Sequence, residues 1–88
     1  MSALWYVYIL LCGDNTLYTG ITQDVNRRLA VHRTGRGAKY TRGRGPLSLV
    51  YVEAQPDKSA ALRREHQIKS LTRAQKDALR AGWTGLPL

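Results

Sequence analysis

The 88-residue chain predicts one α/β domain of the α+β type: a three-stranded, mostly antiparallel sheet flanked by helices, in the order β-β-α-β-α-α. Three observations lead there. Apolar runs rich in β-branched and aromatic residues occupy positions 4–12, 17–22 and 47–54, and they have the length of strands rather than helices. Only Gly13-Asp14-Asn15-Thr16 separates the first two, a turn signal that makes them a hairpin. Capping residues (Asp24, Ser59 and Thr72) stand immediately before the three other segments. So small a sheet needs cover, and three helices supply it.

The first run, LWYVYILLC, is apolar without clean alternation, as expected of a strand covered on both faces. The second, LYTGIT, is interrupted by Gly20, which marks a bulge or a place where a backbone or ligand comes close. Asp24 caps a helix over 25–32, where Val25 and Leu29 share one side and Arg28 and His32 form a second aligned pair. Gly35 ends it. Positions 35–46, GRGAKYTRGRGP, hold four glycines, three arginines, a lysine and a tyrosine, and read as a mobile basic loop outside the core. The third strand covers 47–54, and Pro56-Asp57-Lys58 is a turn. Ser59 then caps a helix over 60–70, and Thr72 caps another over 73–81 that Gly82 stops. The tail, 83–88, carries apolar residues able to dock on the body. No repeat or linker divides the chain, so residues 1–88 are read as one domain.

Charge is the loudest global signal. Fourteen Lys and Arg face six Asp and Glu, a formal net charge of +8, and ten of the fourteen are arginine. The planar guanidinium suits phosphate oxygens, so the expected partner is nucleic acid rather than a membrane. Cys12, the one cysteine, sits in an apolar run and reads as a buried, reduced thiol without signs of activation. One Cys and two His at unrelated spacings do not make a tetrahedral zinc set. No run reaches transmembrane length, and the start lacks the basic n-region of a signal peptide; a cytoplasmic protein is expected.

Individual residues leave alternatives open. On a helical projection of 60–70, Ala61, Leu62, Ile68 and Leu71 mark an apolar arc with Glu65 inside it. A carboxylate there is partly desolvated and either pairs with an arginine or binds a metal. Tyr8 and Tyr18 fit strand packing as well as chemistry. Arg28 fits a solvated helix face as well as a phosphate clamp, and His32 fits a surface position as well as a proton acceptor. Glu53 reads as a salt-bridging residue.

Taken together these residues carry a resemblance. Tyr6-Val7-Tyr8 in the first strand, Tyr18-Thr19-Gly20 in the second with ten residues from Tyr8 to Tyr18, then Arg28, His32 and Glu65, resemble the GIY-YIG nuclease superfamily over roughly positions 5–71. The GAKYTRGRGP loop and the LRRE helix resemble its small single-domain, YhbQ-like bacterial branch. Tyr6 stands where the family pattern has Gly, and Thr19 where it has Ile. The resemblance implies metal-dependent hydrolysis of a phosphodiester, with a structure-selective role in DNA repair or recombination, and DNA ahead of RNA as partner. Glu65 would hold Mg²⁺ or Mn²⁺, for which one carboxylate is enough when waters and substrate complete the shell. Tyr18 would be the general base with Tyr8 as its hydrogen-bonded support, His32 an orienting group, and Arg28 the phosphate brace. Gly20 would let the scissile phosphate approach. Arg36, Lys39, Arg42 and Arg44 would meet successive phosphates, and Tyr40 would stack on an unpaired base. The rival reading is a noncatalytic nucleic-acid-binding module on the same fold. A protein partner for targeting is compatible with both, because no second DNA-binding domain is read in this chain.

Overall fold

The first strand becomes the centre of the molecule. In a computed structural model that describes residues 4–37 and 39–85, β1 (Trp5–Leu11) lies between β2 (Leu17–Thr22) and β3 (Ser48–Gln55), antiparallel to both. Helix α1 (Val25–Arg33) follows β2, a single 3₁₀ turn (Lys39–Thr41) precedes β3, and α2 (Lys58–Lys69) and α3 (Arg73–Ala81) complete the order β-β-α-β-α-α.

Strand alternation divides the core in two. Tyr8, Leu10 and Cys12 project to one face and pack with Val25, Leu47 and Val52. Val7 and Ile9 project to the other and pack with Ala61 and Ile68 of α2, with Leu79 of α3 alongside. The uninterrupted apolar character of β1 therefore reflects cover on both faces. Pairing with β3 slips between Ile9↔Tyr51 and Leu10↔Leu49, leaving Val50 as the extra residue of a bulge.

Helix caps follow the sequence with one correction. The Asp24 side chain accepts from the Arg27 N–H, and Thr72 forms a reciprocal capping box with Gln75. The cap of α2 is Asp57, not Ser59: its carboxylate accepts from the Ala60 N–H at 2.8 Å. The turn dipeptide Pro56-Asp57 and the helix cap are thus one feature. The apolar arc of α2 is narrower than its sequence suggests, since Ala61 and Ile68 are buried but Leu62 is 45% exposed. In the tail, Trp83 packs against the Tyr8 cluster, whereas positions 86–88 lie outside the described residues. Among the described residues no helix is long and apolar enough to cross a membrane.

Glycine-rich as it is, the 35–46 loop is not detached from the core. Thr41 is buried, and a Cβ on Gly37 would collide with the His32 ring. At its other end the Gly13 N–H donates to the Arg44 carbonyl, and Arg44 forms an ion pair with Asp14 in the hairpin turn.

Candidate active site

The site is built where edge strand β2 meets α1, α2 and the docked loop. Its deepest member is Tyr8, 2% exposed, whose hydroxyl lies 2.8 Å from His32 Nε2. His32 Nδ1 lies 2.9 Å from Thr41 Oγ1, so both ring nitrogens are engaged and the ring is fixed. His32 is itself 2% exposed, which corrects the reading of a surface histidine. Burial, reinforced by the charge of Arg28, holds its pKa below the ordinary 6.5, so it is a neutral imidazole at pH 7.

The Tyr8 hydroxyl gathers the other candidates. Burial pushes its pKa up to about 12; the Arg28 guanidinium opposes this through hydrogen bonding and charge, while Tyr18 and Glu65 add to the rise. Residues from β1, β2, α1 and α2 thus act on one oxygen. Tyr18, half-buried on β2, stands with its ring centroid 6.3 Å from that of Tyr8 and 5.2 Å from that of His32, edge-on to the imidazole. The hydrogen-bond partner of Tyr8 is therefore His32, where the sequence reading had Tyr18.

Gly20 explains the interruption of the second strand. It pairs directly with Tyr8 across β1 and β2, and side chains of such a pair share a face. A Cβ at position 20 would fall 2.6 Å from the Tyr8 hydroxyl oxygen and 3.1 Å from Tyr18 Cε2. The space beside Gly20 is filled by the Tyr8 phenol. Gly20 is buried and shapes the site through the tyrosines.

Glu65 comes from α2 with its side chain 18% exposed, in an i,i+4 ion pair with Lys69 at 3.3 Å. The helix carries it to the site at the border of the apolar arc. As a donor set, one partly buried carboxylate fits a hard cation that keeps waters and takes substrate phosphate as a further ligand. Among the described residues no three His, Cys, Asp or Glu side chains cluster. Glu53 is committed elsewhere: it receives Tyr51, Gln55 and Arg64.

The loop cations divide. Arg36 and Lys39 are exposed, and among the described residues no ion pair holds them. Arg42 Nε donates to the Gly35 carbonyl at 3.3 Å, and Arg44 is tied to Asp14. Tyr40 stacks on Tyr18, with ring centroids 5.8 Å apart and planes at 29°, and the Arg44 guanidinium lies 4.4 Å over its ring. These contacts hold the ring in place while it stays 42% exposed.

Two cavities lie along β2, at Thr22 and at Tyr18. One, about 310 Å³, is lined by Thr22, Asp24, Arg27, Arg28 and Val31. The other, about 320 Å³, is lined by Leu17, Tyr18, Thr19, Tyr40, Lys69 and Lys76. The two lysines were missed in the sequence. A signal for Lys69 was present, since it stands one turn beyond Glu65; Lys76 reaches the site only through the packing of α3.

Comparison with known proteins now decides the family. The model of the GIY-YIG catalytic domain matches residues 4–78, nearly the whole chain. The chain belongs to the GIY-YIG family. Its relatives within GIY-YIG are UPF0213 proteins. One from Natronomonas pharaonis is 59% identical over 85 residues, covering 97% of this chain and 100% of the relative. Another, from Vibrio cholerae, is 56% identical over 79 residues, covering 89% and 78%. The resemblance to the small single-domain, YhbQ-like branch is thus borne out. The solution NMR structure of a UPF0213 protein from Bacillus halodurans has a TM-score of 0.58 at 51% identity, covering 89% of this chain and 83% of that one. A second NMR structure, of an E. faecalis protein, gives 0.60 at 34% identity over 97% and 95%. GIY-YIG domains are nuclease domains, so membership implies endonuclease chemistry on a nucleic-acid substrate.

Tyr6, the departure from the GIY-YIG pattern, lies beside the site rather than in it. It pairs with Thr22 and Ala54 and lines a small cavity of about 110 Å³ with Gln23, Asp24, Val25 and Asn26. The hydrogen bonds of Tyr8 and His32 do not involve it.

Proposed function

We propose that this protein is a metal-dependent endonuclease that hydrolyses phosphodiester bonds in nucleic acid, DNA ahead of RNA, with structure-selective cutting in repair or recombination as its setting. One observation carries the reading: the Tyr8 hydroxyl is acted on by His32, Arg28, Tyr18 and Glu65 together, although these come from separate elements. A packing tyrosine needs one partner for its hydroxyl. A cation and a carboxylate whose charges reach the same phenol supply what phosphate hydrolysis uses: a brace for the anion and a ligand for a metal.

The residues divide the work by their environments. Tyr8, with its pKa pushed up to about 12, remains a phenol at neutral pH and transmits hydrogen bonds rather than acting as base. Tyr18, less buried and held edge-on by His32, is the group that orients the attacking water and, acting as the phenolate, takes its proton to become the phenol. Neutral His32 fixes both tyrosines from behind, through the 2.8 Å contact to Tyr8 and the ring contact to Tyr18. Arg28 braces the phosphate and stabilises charge as it develops there. Glu65 would hold Mg²⁺ or Mn²⁺, which when bound supplies a Lewis acid for the phosphoryl oxygens. Arg36 and Lys39 extend the grip on the backbone, a contact that positions the strand without reading its sequence.

The test uses purified protein with supercoiled plasmid, branched DNA and single-stranded RNA, each with Mg²⁺, Mn²⁺ or chelator. Cleavage that requires the metal is expected, with Glu65→Ala abolishing turnover while binding persists and Tyr18→Phe reducing turnover about 100-fold or more. Binding without cleavage on every substrate would replace the nuclease with the noncatalytic binding module.

A further inference from the structure

The cavity beside Tyr18 and Tyr40 is lined by a cation that the machinery above does not use. Lys76 is half-buried in the first turns of α3 and lines this cavity with Lys69. The chain has six acidic residues, and each is committed elsewhere. Asp14 pairs with Arg44, Glu53 with Arg64, Glu65 with Lys69, and Asp77 with both Arg73 and Arg80. Asp24 and Asp57 cap α1 and α2. Among the described residues no carboxylate is left for Lys76.

An ammonium that no carboxylate engages gains from an anion that enters beside it. The cavity supplies the room. Its two amines come from different helices, and its wall is the Tyr18–Tyr40 stack fixed by Arg44. Lys69 joins this cavity to the reacting centre, because its amine lies 3.3 Å from Glu65. The walls are aromatic and cationic, with no acidic side chain among the lining residues, so an acidic or neutral peptide is a poorer fit than a phosphodiester.

We infer that this cavity is a subsite for the phosphate of a nucleotide flanking the scissile one, held between Lys69 and Lys76 with its sugar against the edge of Tyr40. The name "flanking" rests on the nuclease reading; the phosphate site itself does not. A strand in this register crosses β2 from the Arg28 cavity, past Tyr18, to Lys76. Substrate selection then includes a requirement for a phosphate on the Lys76 side.

The experiment is done in chelator, so that cleavage plays no part. Isotope-labelled full-length protein is titrated with a 5′-phosphorylated thymidine trinucleotide, and affinity for a labelled single-stranded oligonucleotide is followed against salt. Amide shifts at Leu17, Thr19, Lys69 and Lys76 are expected. Lys76→Gln should weaken binding about tenfold at low salt, the size of one charge-assisted contact. It should also lower the slope of log affinity against log salt by about 0.7. Lys76→Arg should restore both, and Lys58→Gln, whose amine sits over the Trp5 ring, should bind like the parent. Shifts confined to the Arg27 and Arg28 side, or a Lys76→Gln protein with unchanged affinity and slope, would overturn the subsite. Failure of the nuclease reading would instead appear as absent cleavage while these binding results stand.

Discussion

Gly20 is the residue on which the site's geometry turns. A side chain there competes with Tyr8 for the same volume, because the added Cβ would lie 2.6 Å from the phenol oxygen and 2.7 Å from Cζ. Tyr8 cannot retreat easily: it is buried, and its hydroxyl is held by His32. Gly20→Ala is therefore expected to destabilise the fold by about 1–3 kcal/mol, the range for overpacking a filled core, measured by denaturant unfolding. It should also slow cleavage more than it weakens binding, because Tyr8 and Tyr18 are displaced while the loop cations are not. An alanine variant as stable as the parent would mean that the strand yields instead of the tyrosine. The glycine itself was conspicuous in the sequence. What filled its place was not, because the filling group comes from the neighbouring strand.

At the scale of elements, the caps give the sharpest test. Asp57 accepts the Ala60 N–H at 2.8 Å, whereas the Ser59 hydroxyl receives Arg63 on an exposed helix face. Asp57→Ala should lower stability by about 1 kcal/mol, and Ser59→Ala by much less, both read from thermal unfolding. Equal losses would put the cap one turn edge too early. The strands and α3 were legible because their signals are local: apolar runs of strand length, and a Thr72 cap with Gln75 three residues on. The loop was not. Its composition describes a flexible chain, but Thr41 and Gly37 are fastened to His32, a partner whose position depends on the packing of α1. Lys69 and Lys76 escaped notice for the same reason, as they converge only when α2 and α3 meet the edge of β2.

The molecule as a whole is a cationic body with unequal cations. Its net charge of +8 draws it to nucleic acid, but much of the arginine complement is already spent on internal contacts. Arg36 and Lys39 are exposed and, among the described residues, have no ion-pair partner, so replacing both with Gln should reduce the salt slope of binding by about two contacts' worth, about 1.8 on duplex DNA. Fold stability should be unchanged. Arg44→Gln should instead loosen the loop, because Arg44 joins Asp14 to Tyr40. A full-size slope after the double replacement would move the grip from the loop to the α1 arginines.

The β1–β2 turn has a consequence out of proportion to its length. Hairpin tips are usually where a chain absorbs insertions without harm. This one is a shared joint: the Gly13 N–H and Asp14 fasten the loop that bears Tyr40, and the Asn15 carbonyl receives Arg73 of the helix that bears Lys76. Both walls beside Tyr18 are therefore registered against the same few atoms. Lengthening the turn by a single residue would move those walls independently of one another, so a position that is peripheral by every measure of depth sets how the Tyr40 loop and α3 stand about Tyr18.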